Sequence, residues 1–109
     1  MIETSDTGWY AVRCVFRWGP PHDTYEERVT LWRAGSFDEA TAMAEHEAAE
    51  YVADRPFEYL ELAQTYRLAD DTIESGMEIF SLLRDSDLEP AEYLTTFFNT
   101  GHERQGQIS

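Results

Sequence analysis

The sequence predicts an α+β domain: a four-stranded antiparallel sheet in the element order ββαββα, with one long helix across one face and a short C-terminal helix. Three observations predict it. Residues 9–18 and 25–34 alternate apolar and polar with the period of two that a half-buried strand requires. A capped helical pattern begins at Ser36. After Pro56 two further apolar runs, 57–69 and 77–84, precede a short helical stretch that opens on Pro90.

In the first strand, WYAVRCVFRW, the residues Tyr10, Val12, Cys14, Phe16 and Trp18 share one face. Gly19-Pro20-Pro21-His22-Asp23 ends it. If Trp18 pairs with Tyr25, the second strand, YEERVTLWRA, sets Val12 opposite Leu31 and Cys14 opposite Val29, and Arg17 meets Glu26 on the other face. One residue misfits: Glu27 falls opposite Phe16 on the apolar face. Ser36-Phe37-Asp38-Glu39 reads as a capping box, in which the Ser36 hydroxyl accepts the Glu39 amide and the Glu39 carboxylate reaches back to Ser36. From there Phe37, Ala40, Ala44, Ala48 and Tyr51 keep helical spacing, with Glu39, Glu47, Glu50 and Asp54 on the wet side, which predicts a helix over about 37–54. Acids in its first turn suit the helix dipole, and Pro56 ends it.

Leu60, Leu62, Tyr66 and Leu68 alternate in the third strand, 57–69; residues 70–76 form a loop; 77–84, MEIFSLLR, is the fourth strand, apolar on both faces. Tyr93, Leu94, Phe97 and Phe98 make the stripe of the last helix, which Gly101 stops. A helical crossover returning the third strand beside the first gives the strand order 2-1-3-4. The long helix then takes the face of Val12, Cys14, Val29 and Leu31. Trp9, Ala11, Val15 and Trp32 remain on the far face with Arg13, Arg17 and Arg28, too apolar a surface for bare solvent. Trp9, Arg13, Arg28 and Trp32 are the candidate binding patch, because interface centres favour tryptophan and arginine. Either the C-terminal helix or a second copy must cover it, and a homodimer is expected.

A chain of 109 residues has room for one core. Residues 9–101 are expected to form that single domain, with 1–8 disordered and 102–109 a polar tail. Apolar and aromatic contents of 42% and 14% argue against a wholly disordered chain. No apolar run approaches the ~20 residues of a membrane helix, and the polar start does not read as a signal peptide, so no membrane partner is expected. The lone cysteine fits a reducing compartment, and a cytoplasmic location is expected. Twenty-two acids against eight basic residues, all arginine, give a net charge of -14. Both halves carry 11 acids and 4 arginines, so the charge is not a tail. A field of this sign repels phosphate backbones, which speaks against nucleic-acid binding, and it attracts a basic protein partner.

Motifs of catalysis are missing: no phosphate-binding glycine loop, no CxxC pair, no nucleophile elbow. His46-Glu47-Ala48-Ala49-Glu50 resembles half of a zinc helix, but the second histidine is replaced by Glu50 and no third ligand follows. The acids of 70–76 resemble a calcium loop, yet Ser75 stands where the glycine belongs and Ser81 where the closing glutamate belongs. No metal and no cofactor is expected. His22 and His102 sit beside acids in loops and would be the acid–base candidates of an enzyme. Cys14, on the core face, reads as a small buried apolar residue rather than a nucleophile.

Trp9-Tyr10-Ala11-Val12, Tyr25-Glu26-Glu27-Arg28-Val29 and Ser36-Phe37-Asp38-Glu39-Ala40, with Ile79-Phe80-Ser81-Leu82 and Phe97-Phe98-Asn99-Thr100-Gly101 later, together resemble the bacterial domain-of-unknown-function 4288 family. The resemblance runs from Trp9 to about Gln105. It implies a small bacterial cytoplasmic domain and assigns no activity and no catalytic residue. The leading expectation is therefore a non-catalytic acidic interaction module, with neutralisation of a basic partner, as an immunity protein does, a special case. The alternatives are a small enzyme or ligand binder with a pocket between sheet and helix, and a nucleic-acid mimic, which the even scatter of acids disfavours.

Overall fold

β1 (Gly8–Trp18), β2 (Thr24–Ala34) and β3 (Phe57–Arg67) form one antiparallel sheet in the order β2-β1-β3. The computed structural model describes residues 7–19, 24–98 and 100–103. The proposed N-terminal segment and C-terminal tail thus fall largely outside the described residues, and Gly8 already belongs to β1. A helix, α1 (Phe37–Val52), connects β2 to β3 and lies over one face of the sheet. A second, α2 (Pro90–Phe97), follows a long irregular segment.

Alternation in β1 is obeyed: Tyr10, Val12, Cys14 and Phe16 are buried toward α1. They meet Ala40, Ala44 and Ala48, a stripe of small side chains that lets the helix approach closely. Aromatic rings close both ends of this core. Phe37 meets Tyr10 edge-on at 5.2 Å, and Phe16 lies 5.1 Å from Tyr51 and 5.4 Å from Tyr59.

The start of α1 follows from its cap. The Ser36 hydroxyl accepts the Glu39 N–H at 3.0 Å. The Glu39 carboxylate reaches one residue further back than a capping box requires and takes the Gly35 N–H. Replacing Ser36 with Ala removes one partner of an otherwise orphaned amide and should cost about 1 kcal/mol. A urea titration of Ser36→Ala with unchanged midpoint and slope would count against the cap.

Two expectations are corrected here. The first is the register. Trp18 pairs with Thr24, not Tyr25, so every partner on β2 shifts by one residue: Val12 faces Thr30, Cys14 faces Arg28, and Phe16 faces Glu26. A slip of one residue turns a strand over. Val29 and Leu31 therefore leave the helix face for the open one, and Glu26, Arg28 and Trp32 move under α1. Glu27, misfitted against Phe16 before, now lies opposite Val15 and pairs with Arg13 at 3.2 Å.

The second is the sheet, which has three strands: 77–84 pairs with nothing, and the element order is ββαβα. β3 is interrupted by a bulge. Between the pairs Cys14–Ala63 and Phe16–Tyr59, β3 carries three residues where β1 carries one, and Glu61 takes a left-handed φ of 61°. A bulge of this kind twists an edge and breaks its row of hydrogen-bonding groups, which removes the template for a fourth strand. Residues 77–84 instead bring Phe80 to the open face, 6.0 Å from the Tyr66 ring.

For the cover of that face the sequence left the C-terminal helix and a second copy as alternatives. α2 packs on none of the three strands and not on α1. The radius of gyration, 16.5 Å, exceeds the about 13 Å of a chain this long folded around one centre.

Candidate interaction surface

The open face is built by the odd-numbered residues of β1 and β2. β2 is an edge strand, and its odd side chains look away from α1. Tyr25, Val29 and Leu31 are 60%, 44% and 42% exposed. Leu62, in the neighbouring bulge of β3, is equally open. On β1 the same face carries Trp9, Arg13, Val15 and Arg17.

Its arginines lie along aromatic rings. Arg13 stands 5.3 Å from the Phe80 ring, Arg17 6.0 Å from Tyr25, and Arg33 5.4 Å from Trp9. The Arg13 Nε donates to the Gln64 side-chain oxygen at 3.0 Å. The face thus combines apolar side chains with three arginines and two acids, Glu27 and Glu58, in a chain that is elsewhere strongly acidic.

The helix side holds a different arrangement. Arg28 grips Glu47 of α1 with two hydrogen bonds, 2.7 and 2.9 Å, and lies 3.9 Å over the Tyr51 ring. The Tyr51 hydroxyl donates to Glu26 at 2.9 Å, and that of Tyr59 to Glu45 at 2.6 Å. The Trp32 indole N–H donates to the Thr30 hydroxyl at 2.7 Å. Cys14 is 4% exposed beneath this network. Burial, above all, pushes its thiol up from the ordinary value of 9.0, so it is held as the neutral, unreactive form. The donors and acceptors here satisfy one another and fasten the helix to the edge strand.

The four residues expected to form one patch are divided between two faces. Trp9 and Arg13 lie on the open side; Arg28 and Trp32 lie on the helix side. Tyr25, Val29, Leu31 and Arg33 belong to the open face and were missed by the register. No signal in β2 alone would have found them, because the true register trades Glu27 opposite Phe16 for Glu26 and sets Arg28 opposite Cys14.

Of the histidines, His22 lies outside the described residues. His102 is exposed, and His46 meets only Glu50 of its own helix, at 3.4 Å in solvent. No group of three His, Cys, Asp or Glu side chains converges among the described residues. Two concavities, one at 69–70 and 74–78 and one along α2, contain neither histidine nor arginine. The space between sheet and helix, where a ligand binder would hold its pocket, is filled by the core. Among the described residues, no helix is long and apolar enough to cross a membrane. No family model, no curated protein and no solved structure matches this chain.

Proposed function

We propose that this chain is a small non-catalytic interaction module of the bacterial cytoplasm, a member of the family its sequence resembles, that pairs with a second copy of itself through the open sheet face. The observation that carries this reading is the uncovered row of Tyr25, Val29 and Leu31 beside stacked arginines. Exposed apolar surface of this kind, interrupted here only by Glu27, is a cost for a solitary soluble domain and a gain for a paired one. Arginine with large aromatic side chains is the composition that interface centres favour. The remaining surface, dominated by acids such as Asp38, Glu50 and Asp54, suits a basic protein as the second partner, as in neutralisation of a toxin. It repels nucleic acid.

Light scattering at micromolar concentration tests the pairing. The expected mass is twice the monomer's 12.6 kDa. Leu31→Asp, which places a charge in the apolar row at an exposed position, should halve it while leaving the circular dichroism spectrum unchanged. A wild-type chain that runs as a monomer across the accessible concentration range would overturn the reading.

A further inference from the structure

We infer that the dimer is closed by exchange of C-terminal arms: α2 of each copy lies on the open sheet face of the other. This inference rests on the pairing proposed above and names its contacts. The arm is built to bind something its own domain does not provide. Leu94, Phe97 and Phe98 are all exposed, and α2 touches no strand and not α1. Within the arm Tyr93 meets Phe97 at 4.7 Å and Phe98 at 6.1 Å, and Arg84 lies over Phe97, so its ring contacts stay inside the arm. A short helix with an apolar stripe and nothing beneath it is marginal alone in water.

The two unpartnered surfaces match in size and in charge. Eight residues of α2 span roughly 12 Å, and three strands cover about 10 Å from first to last axis, so the helix can cross the whole sheet. Residues 85–98 carry Asp85, Asp87, Glu89 and Glu92 and no basic residue. The open face carries Arg13, Arg17 and Arg33 against Glu27 and Glu58, a small positive surplus in a chain of net charge -14. Elsewhere the domain presents a surplus of acids that would repel such an arm. The open face is where an acidic amphipathic helix finds both apolar contact and opposite charge. The path of the chain selects the second copy as the donor. Residues 77–80 are already laid on the open face through Phe80, and the chain beyond them leads α2 away from its own sheet.

Complementation tests this. A face variant, Leu31→Asp with Val29→Asp, keeps its arm; an arm variant, Leu94→Ser with Phe97→Ser, keeps its face. Each alone should run at monomer mass, because no arm can find a face. Mixed in equal amounts, they should recover a dimer, since the arm of the first fits the face of the second. The mixed dimer should be weaker than wild type, with one docking site in place of two. A dimer that survives in the arm variant alone would overturn exchange while leaving the pairing reading intact, as direct face-to-face contact predicts. Two monomers with no recovery on mixing would overturn exchange in favour of each arm closing on its own sheet. A wild-type monomer would sink both readings together. Both variants alter exposed residues, so their circular dichroism spectra should match wild type and serve as the folding control.

Discussion

Phe16→Ala is expected to remove about 4 kcal/mol of stability, the largest loss from any single substitution proposed. The Phe16 ring is 0% exposed, near the end of β1, and touches rings on two elements packed against that strand: Tyr51 on α1 and Tyr59 on β3. The fully buried residues of the opposing helix are alanines, Ala40, Ala44 and Ala48, which cannot move into the space a lost ring would leave. The cavity therefore stays open, and the cost includes both lost transfer energy and lost contacts. Against a total of about 5–15 kcal/mol for a domain of this size, the variant would stand near the edge of folding. Urea titration followed by tryptophan fluorescence measures the loss. Phe16→Leu, which keeps most of the volume, should cost about 1 kcal/mol. A loss for Phe16→Ala no larger than that of Phe16→Leu would mean that the cluster is not closed around this ring.

The second large effect is on alkaline stability. Three acidic hydrogens are held on the helix side. Burial is the first cause in each case, raising Cys14 from 9.0 and Tyr51 and Tyr59 from 10.0. The Tyr59 hydroxyl is further committed to the Glu45 carboxylate, and Tyr51 to Glu26, with Arg28 partly offsetting the latter. The sign follows from linkage. The unfolded chain releases these protons near the ordinary values, whereas the folded chain keeps them. The stability they contribute is complete below about pH 9 and is lost as pH rises. Each group that stays protonated in the fold and ionises in the unfolded chain can cost at most about 1.4 kcal/mol per pH unit. Denaturant midpoints should hold steady from pH 7 to 9 and fall steeply from 10 to 12. Tyr59→Phe should flatten the steep limb, and Cys14→Ala should delay its onset. Identical profiles for wild type and Tyr59→Phe would show that the phenol ionises freely in the fold.

How much of this was legible in the sequence depended on whether the signal was local. Ser36, the alanine spacing and Pro56 act within one or two turns, so α1 was readable to within two residues of its end. The faces of β1 were readable because both are decided by its own alternation. β2 was harder. Its odd residues, Val29 and Leu31, look like core, and its even ones, Glu26 and Arg28, look like surface. The fold inverts this because α1 answers the even residues with Glu47 and Tyr51, partners separated from them by about five helical turns of sequence that no strand pattern contains. The five residues 19–23 between β1 and β2 leave the register free by one, and apolar matching then chose wrongly. The fourth strand failed for a related reason. MEIFSLLR has strand composition, but whether it pairs is decided at Glu61 in another element. The open face inherited both errors, which is why half of the expected patch lies beneath the helix.

The alanine stripe of α1 has a consequence for the uniqueness of the folded state. Ala40, Ala44 and Ala48 present a nearly smooth surface, and a smooth rod on a sheet has little to stop it sliding along its own axis. Phe37 and Tyr51 anchor its ends against Tyr10 and Phe16, and between them the stops are polar. Thr41 meets the Thr65 hydroxyl near the start of the helix, Glu45 holds Tyr59 in its middle, and Arg28 clamps Glu47 toward its end. These three links, four and two residues apart along the helix, act as locating pins. Apolar burial keeps the helix on the sheet, and the pins decide where along the sheet it rests. A chain stripped of them would still melt cooperatively but would sample neighbouring helix positions, visible as broadened amide resonances confined to α1 and the strands beneath it.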